Sequence, residues 1–225
     1  MNAAMDAATL QRRVGSEEIN TMPLCRYGGT VRLVRSMDDW KGVLPGILAE
    51  RVLGFDTETR PTFKKGKAND PALMQIATEH FVCLIQLSGF PFGAHLAAIL
   101  ANPDQIKAGV GIRDDMRELA HLHAFEPAGL VDLGAAARAH KITTQGLRAL
   151  AANLFNRRIS KGSQCSNWSL PELSKNQIIY AATDAWMSRL IFLRMHELGL
   201  VPPVPALACA QASVFDALRA TELMS

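Results

Sequence analysis

The chain has 225 residues, 48% of them apolar and 20% charged, with a formal charge of +3 and a pI near 8.8. This composition fits one globular domain with short extensions and permits, without demanding, a nucleic-acid partner. It excludes a membrane span, because no run approaches the roughly 20 consecutive apolar residues that cross a bilayer.

Residues 1–25 are mixed and polar and read as a loosely held arm. Asp6, Glu17 and Glu18 and the lack of an apolar core argue against a secretory signal. "TVRLVRS" (30–36) alternates apolar and polar residues, the period of a half-buried strand. A helix is expected over 36–50, capped by Ser36 and striped by Trp40, Val43, Leu44, Ile47 and Leu48, with Pro45 weakening its middle. "RVLGFDTE" (51–58) is nearly all apolar before its acids and reads as a central strand, and a basic loop follows over 60–71. "ALMQIAT" (72–78) and "HFVCLIQL" (80–87) read as a hairpin. Then come a helix (94–103), a short buried strand (106–112) and a helix (113–125). The segment 128–140 leads into another helix, and 143–155 is a helix capped by Thr143 or Thr144. After a loop, a long helix spans 174–199, with Ser174 as cap and Gly199 as stop. The first strands thus read as an antiparallel meander, followed by strand–helix alternation: an α/β mixed sheet flanked by helices. Cys25, Cys83, Cys165 and Cys209 are scattered without a Cys-x-x-Cys pair. That speaks against a disulfide framework or zinc site and suits a reducing, cytoplasmic setting.

Carboxylates carry the chemistry. Strand side chains alternate faces, so Asp56 and Glu58 share one. Two such anions repel unless a cation intervenes. Asp115 stands at the start of the helix after "KAGVGI", with Asp114 competing for the helix-start role. Tyr180 and Asp184 lie four apart on one face of the long helix. Each alone is ordinary, whether a solvated turn, a helix-start acid or a structural aspartate. Together, acids from separate elements suit two hard divalent cations, Mg²⁺ or Mn²⁺, and metal-assisted phosphodiester hydrolysis.

"FDTE", "GVGIRDDMREL", "SNW" and "YAATDAW", in this order, resemble the 3′-5′ exonucleases with four acids and a tyrosine. The likeness is to the Werner-type exonuclease domain, with ribonuclease D as a wider relative. It implies an RNase H-like fold over 26–200, between an N-terminal arm (1–25) and a C-terminal helical tail (201–225). It also implies that Asp56, Glu58 and Asp184 hold the catalytic metal and that Asp56 bridges to a second ion. Asp115 matches the middle acid, and Tyr180 matches the residue that positions the attacking water. The implied substrate is a nucleic acid with a single-stranded or recessed 3′ end. No segment resembles a helicase or its helical repeats, so unwinding is expected from a separate partner. A non-catalytic adaptor on the same fold, or a phosphohydrolase of small nucleotides, is the alternative.

Substrate contacts are expected from Lys64, Lys65 and Lys67 in the basic loop and from Lys161 before the catalytic helix. Phe63 is a candidate for base stacking. Met74 is either core or a lining of the terminal-nucleotide pocket, and Trp168 either packs its loop or touches substrate. The six histidines form no site.

Overall fold

The computed structural model describes residues 10–62 and 69–204. Phe63, Lys64, Lys65, Lys67 and the tail over 205–225 lie outside the described residues. Six strands form one mixed sheet: β1 (Thr30–Val34), β2 (Val52–Thr59), β3 (Pro71–Ala77), β4 (Phe81–Gln86), β5 (Ile106–Gly109) and β6 (Leu130–Asp132). Their spatial order is β1-β4-β3-β2-β5-β6. β2, β3 and β4 are antiparallel neighbours, as the meander expectation required. β1 departs from it, pairing in parallel along β4 at the sheet edge. Its alternating burial suits an edge strand, but alternation does not name a partner. β6 pairs in parallel with β5. It was not expected, because three residues are too few to show a period.

Seven described helices accompany the sheet: α1 (Ser16–Thr21), α2 (Met37–Leu48), α3 (Ala94–Leu100), α4 (Ile112–Leu122), α5 (Leu133–Ala139), α6 (Leu147–Phe155) and α7 (Lys175–Glu197). The Ser36 hydroxyl accepts from the Asp39 amide and starts α2, which continues through Pro45 because Trp40, Val43 and Ile47 are buried against the sheet. α6 begins at Leu147 after Gly146, later than a threonine cap would place it. Both threonines are otherwise engaged: the Thr143 hydroxyl donates to the Gln11 carbonyl, and Thr144 accepts from Asn153. α7 opens with a full capping box between Ser174 and Gln177, and Gly199, at φ 69°, follows its C-cap.

The sheet separates two cores. Trp40, Phe55, Met74, Ile76, Leu96 and Leu119 pack on one side with α2, α3 and α4. On the other, α5, α6 and α7 cover Val52, Leu73, Leu84 and Ala108. α7 is buried on most sides, polar residues such as Asp184, Ser188 and Arg189 included, and runs across β2. No helix among the described residues is long and apolar enough to cross a membrane.

The segment from Leu10 to Cys25 is docked rather than loose. Leu10, Val14, Ile19 and Met22 are buried, and α1 packs on Ala149 and Ala152 of α6. Asn153 donates to the Leu10 carbonyl at 3.1 Å, and the Cys25 amide donates to Arg158 at 2.7 Å. The signal was present in the three- to five-residue spacing of these apolar residues, but it is irregular and over stretches too short to stand out from a polar background.

Candidate active site

Asp56 and Glu58 extend from β2 toward α7, the side on which Val52 and Gly54 also lie. Gly54 sets the distance between strand and helix. A Cβ there would lie 2.0 Å from the Ala185 carbonyl oxygen, so α7 rests directly on the β2 backbone. Ala185 adjoins Asp184, and this contact brings Asp184 to the strand's acids. One oxygen each from Asp56, Glu58 and Asp184 all lie within 4.8 Å of one another.

The fourth acid arrives by a different route. Thr57 points to the opposite face of β2, and its hydroxyl donates a short hydrogen bond to Asp115 Oδ1 on the first turn of α4. Asp114 is turned outward, exposed and paired with Arg117 at 2.7 Å. Asp114 thus keeps the exposed helix-start place, and Asp115 is the one of the two turned toward β2. Asp115 is not within the three-carboxylate cluster but is anchored to the strand residue that separates Asp56 from Glu58.

Burial and like charge govern the electrostatics. Burial pushes Glu58 up to about 9, with Asp56 and Asp184 adding repulsion. Asp56 is raised well above the carboxylate range by burial and then by Asp184 and Asp115. Burial lifts Asp184 to about 7, against a lowering hydrogen bond from Tyr180. Asp115 rises to about 6 by burial, eased by the Thr57 hydroxyl. Tyr180, one turn before Asp184, is held above the ordinary tyrosine range by burial and by Asp184 and Glu58. Its hydroxyl therefore stays protonated at neutral pH.

These residues fit hard divalent cations. The donor set is all oxygen, and Asp184 Oδ1 is buried without a hydrogen-bond partner among the described residues. Gln75, the cross-strand partner of Asp56, is fully buried with neither amide atom partnered among them. Buried polar atoms left without partners, on Asp184 and on the residue paired across from Asp56, are costly unless a further ligand completes the shell.

The remaining expectations divide. Lys161 is exposed and lines a cleft of about 480 Å³ that also contains Asp56, Glu58, Tyr180 and Asp184. Trp168 is a packing residue: 1% exposed, its ring lies 5.9 Å from that of Tyr180. Gln177 donates to Ser166 and to the Asn167 carbonyl, both at 3.1 Å, which binds the "SNW" loop to α7. Met74 corrects the pocket expectation, since it is fully buried in the core on the opposite face of the sheet. Its alternation with Gln75 along β3 made that side predictable. Thr57 and Gly54 were missed, although a glycine inside an apolar strand is a sign of close backbone approach.

The family model for 3′-5′ exonuclease matches residues 32–199. The bifunctional 3′-5′ exonuclease/ATP-dependent helicase WRN of Mus musculus is 32% identical over 171 residues, 72% of this chain and 12% of that protein. Ribonuclease D of Gluconacetobacter diazotrophicus is 29% identical over 170 residues, 73% of this chain and 42% of that protein. The chain thus spans less than half the length of either relative. In structure it is similar to the Aedes aegypti Nibbler EXO domain, with a TM-score of 0.67 at 22% identity, over 84% of this chain and 95% of that one. That likeness establishes the shared fold of mixed sheet and flanking helices. With the matched region running from β1 to the end of α7 and enclosing all four acids and Tyr180, this chain belongs to the 3′-5′ exonuclease family.

Proposed function

We propose that the chain hydrolyses phosphodiester bonds from the 3′ end of a nucleic-acid strand and releases nucleoside monophosphates. The observation that carries this reading is the convergence of Asp56, Glu58 and Asp184 oxygens within 4.8 Å in an open cleft. Asp56, Glu58 and Asp184 would hold one Mg²⁺ or Mn²⁺, and Asp56 with Asp115 a second. Bound there, such cations supply a nucleophile from water at neutral pH and neutralise charge growing on the phosphate.

The chain's own residues do the rest. Tyr180, protonated and steadied by the Trp168 ring, orients the attacking water through its hydroxyl. Thr57 holds Asp115 against β2, near enough for its charge to act on Asp56. Lys161 meets the strand's phosphates from the rim of the cleft, and Lys64, Lys65 and Lys67 are proposed contacts to the backbone upstream. The substrate is a single-stranded or recessed 3′ end; a structured end would need a separate partner, such as a helicase, to open it.

The test uses matched 3′-labelled and 5′-labelled DNA and RNA oligonucleotides with each metal. Wild type should shorten the 5′-labelled strands in a ladder from the 3′ end. Asp56→Ala should slow this by about 10³-fold or more, since metal-borne charge stabilisation amounts to several kcal/mol. Equal rates for the two proteins would refute the mechanism.

A further inference from the structure

The cleft beside the carboxylates has a wall that the exonuclease sheet does not supply. Val14, Ser16 and Ile19 of the N-terminal arm line it, together with Leu147 and Arg148 of α6. The arm is held there by its buried contacts with Ala149 and Ala152. Leu147 is half-buried, so it presents apolar surface to the cleft.

Arg148 is the unusual member. Its terminal nitrogen donates to Asn20 Oδ1 at the end of the arm. Its Nε is buried and has no hydrogen-bond partner among the described residues. A guanidinium with an unused buried donor, in a cleft that also holds a carboxylate cluster, is poorly matched to protein groups alone. Arg148 itself is half-exposed and lines the cleft, so a phosphate oxygen there meets the part of the guanidinium that Asn20 leaves unused. At about 480 Å³ the cleft falls within the roughly 300–1,000 Å³ of pockets that enclose small ligands. An apolar wall, two cations at the rim and an acidic centre match the parts of one nucleotide: a base, its phosphates and the bond to be cut.

We propose that the arm over residues 10–22 is a working part of the substrate pocket. With Leu147 it walls the space that receives the terminal base, and through Asn20 it holds Arg148 against the backbone phosphate. This inference rests on the exonuclease reading for the identity of the ligand. Arg148 contacts substrate; Asn20 and Ile19 are positioning residues that act through it and through the arm.

The test is a fluorescence-anisotropy titration of a single-stranded oligonucleotide against the full chain without divalent cations, over a series of salt concentrations. Hydrolysis kinetics with Mn²⁺ run in parallel. Arg148→Ala should weaken binding by about tenfold and make the slope of log affinity against log salt shallower by about 0.7, the share of one phosphate on a single strand. Asn20→Ala should weaken binding less and leave the salt slope nearly intact. Ile19→Asp should undock the arm and raise KM with little change in kcat. Glu17→Gln, on the exposed side of α1, should match wild type in both assays. Wild-type affinity and salt slope in Arg148→Ala would overturn the proposal, as would a loss of kcat at unchanged KM in Ile19→Asp. Binding without any product from wild type would defeat the exonuclease reading instead, and the binding comparison would still decide this one.

Discussion

The two faces of β2 carry opposite chemistry one residue apart. Toward α7 stand Asp56 and Glu58, like charges crowded into a half-buried space. Toward α4 stand Phe55, 1% exposed in an apolar core, and Thr57, which ties Asp115 to the strand. The first face is destabilising without cations, because burial and repulsion both disfavour the ionised acids. The second contributes the apolar packing that lets the strand tolerate it. The contrast teaches that, at the acidic end of β2, the cluster is held in place from behind: Phe55 and Thr57 secure the strand where Asp56 and Glu58 strain it.

The sharpest way to break this comparison is to change one residue on each face. Glu58→Gln should lower hydrolysis by about 10²-fold or more, by removing a ligand. The metal-free protein should nevertheless melt at a higher temperature, because a crowded carboxylate is gone. Phe55→Ala should do the reverse, lowering stability by about 3–5 kcal/mol in urea unfolding, with kcat near wild type in whatever remains folded. A Glu58→Gln protein that melts below wild type in chelator would show that the acids are not in conflict.

Next in size is the pH dependence of the metal-free protein. Glu58 sits at about 9 when folded against its ordinary 4.5. Asp184 at about 7 and Asp115 at about 6 shift in the same direction. Between the ordinary and the folded values the native chain holds protons that the unfolded chain has released. Stability therefore falls as pH rises through that window, from about 4.5 to 9. Differential scanning calorimetry in chelator should show a declining melting temperature over this range. Mg²⁺ or Mn²⁺ should flatten the decline, and cation affinity should tighten as pH rises, since binding displaces those protons.

The smallest expected effect concerns the link between the faces. Thr57→Val removes the hydroxyl bonded to Asp115 while keeping the branched shape. A loss of about 1.5 kcal/mol, roughly tenfold in activity, is expected from one hydrogen bond to a charged group. It should appear as a higher Mg²⁺ concentration for half-maximal rate at nearly constant stability. An unchanged metal titration would show that Asp115 needs no support from β2.

Local spacing along the chain was enough to place much of this site. Alternation put Asp56 and Glu58 on one side of a strand, and four-residue spacing put Tyr180 beside Asp184. Ser174 and Gln177 marked the start of the helix that carries both. These features need only neighbours in the chain, whose geometry is set by backbone periodicity. The family resemblance added the order in which the acids meet. What spacing did not reveal depends on residues far apart in the chain: Thr57 reaching Asp115, Gly54 receiving Ala185, Asn20 holding Arg148, and β1 choosing β4. Those contacts follow from the packing of whole elements against one another, where volume and burial select the partner and no local pattern records it.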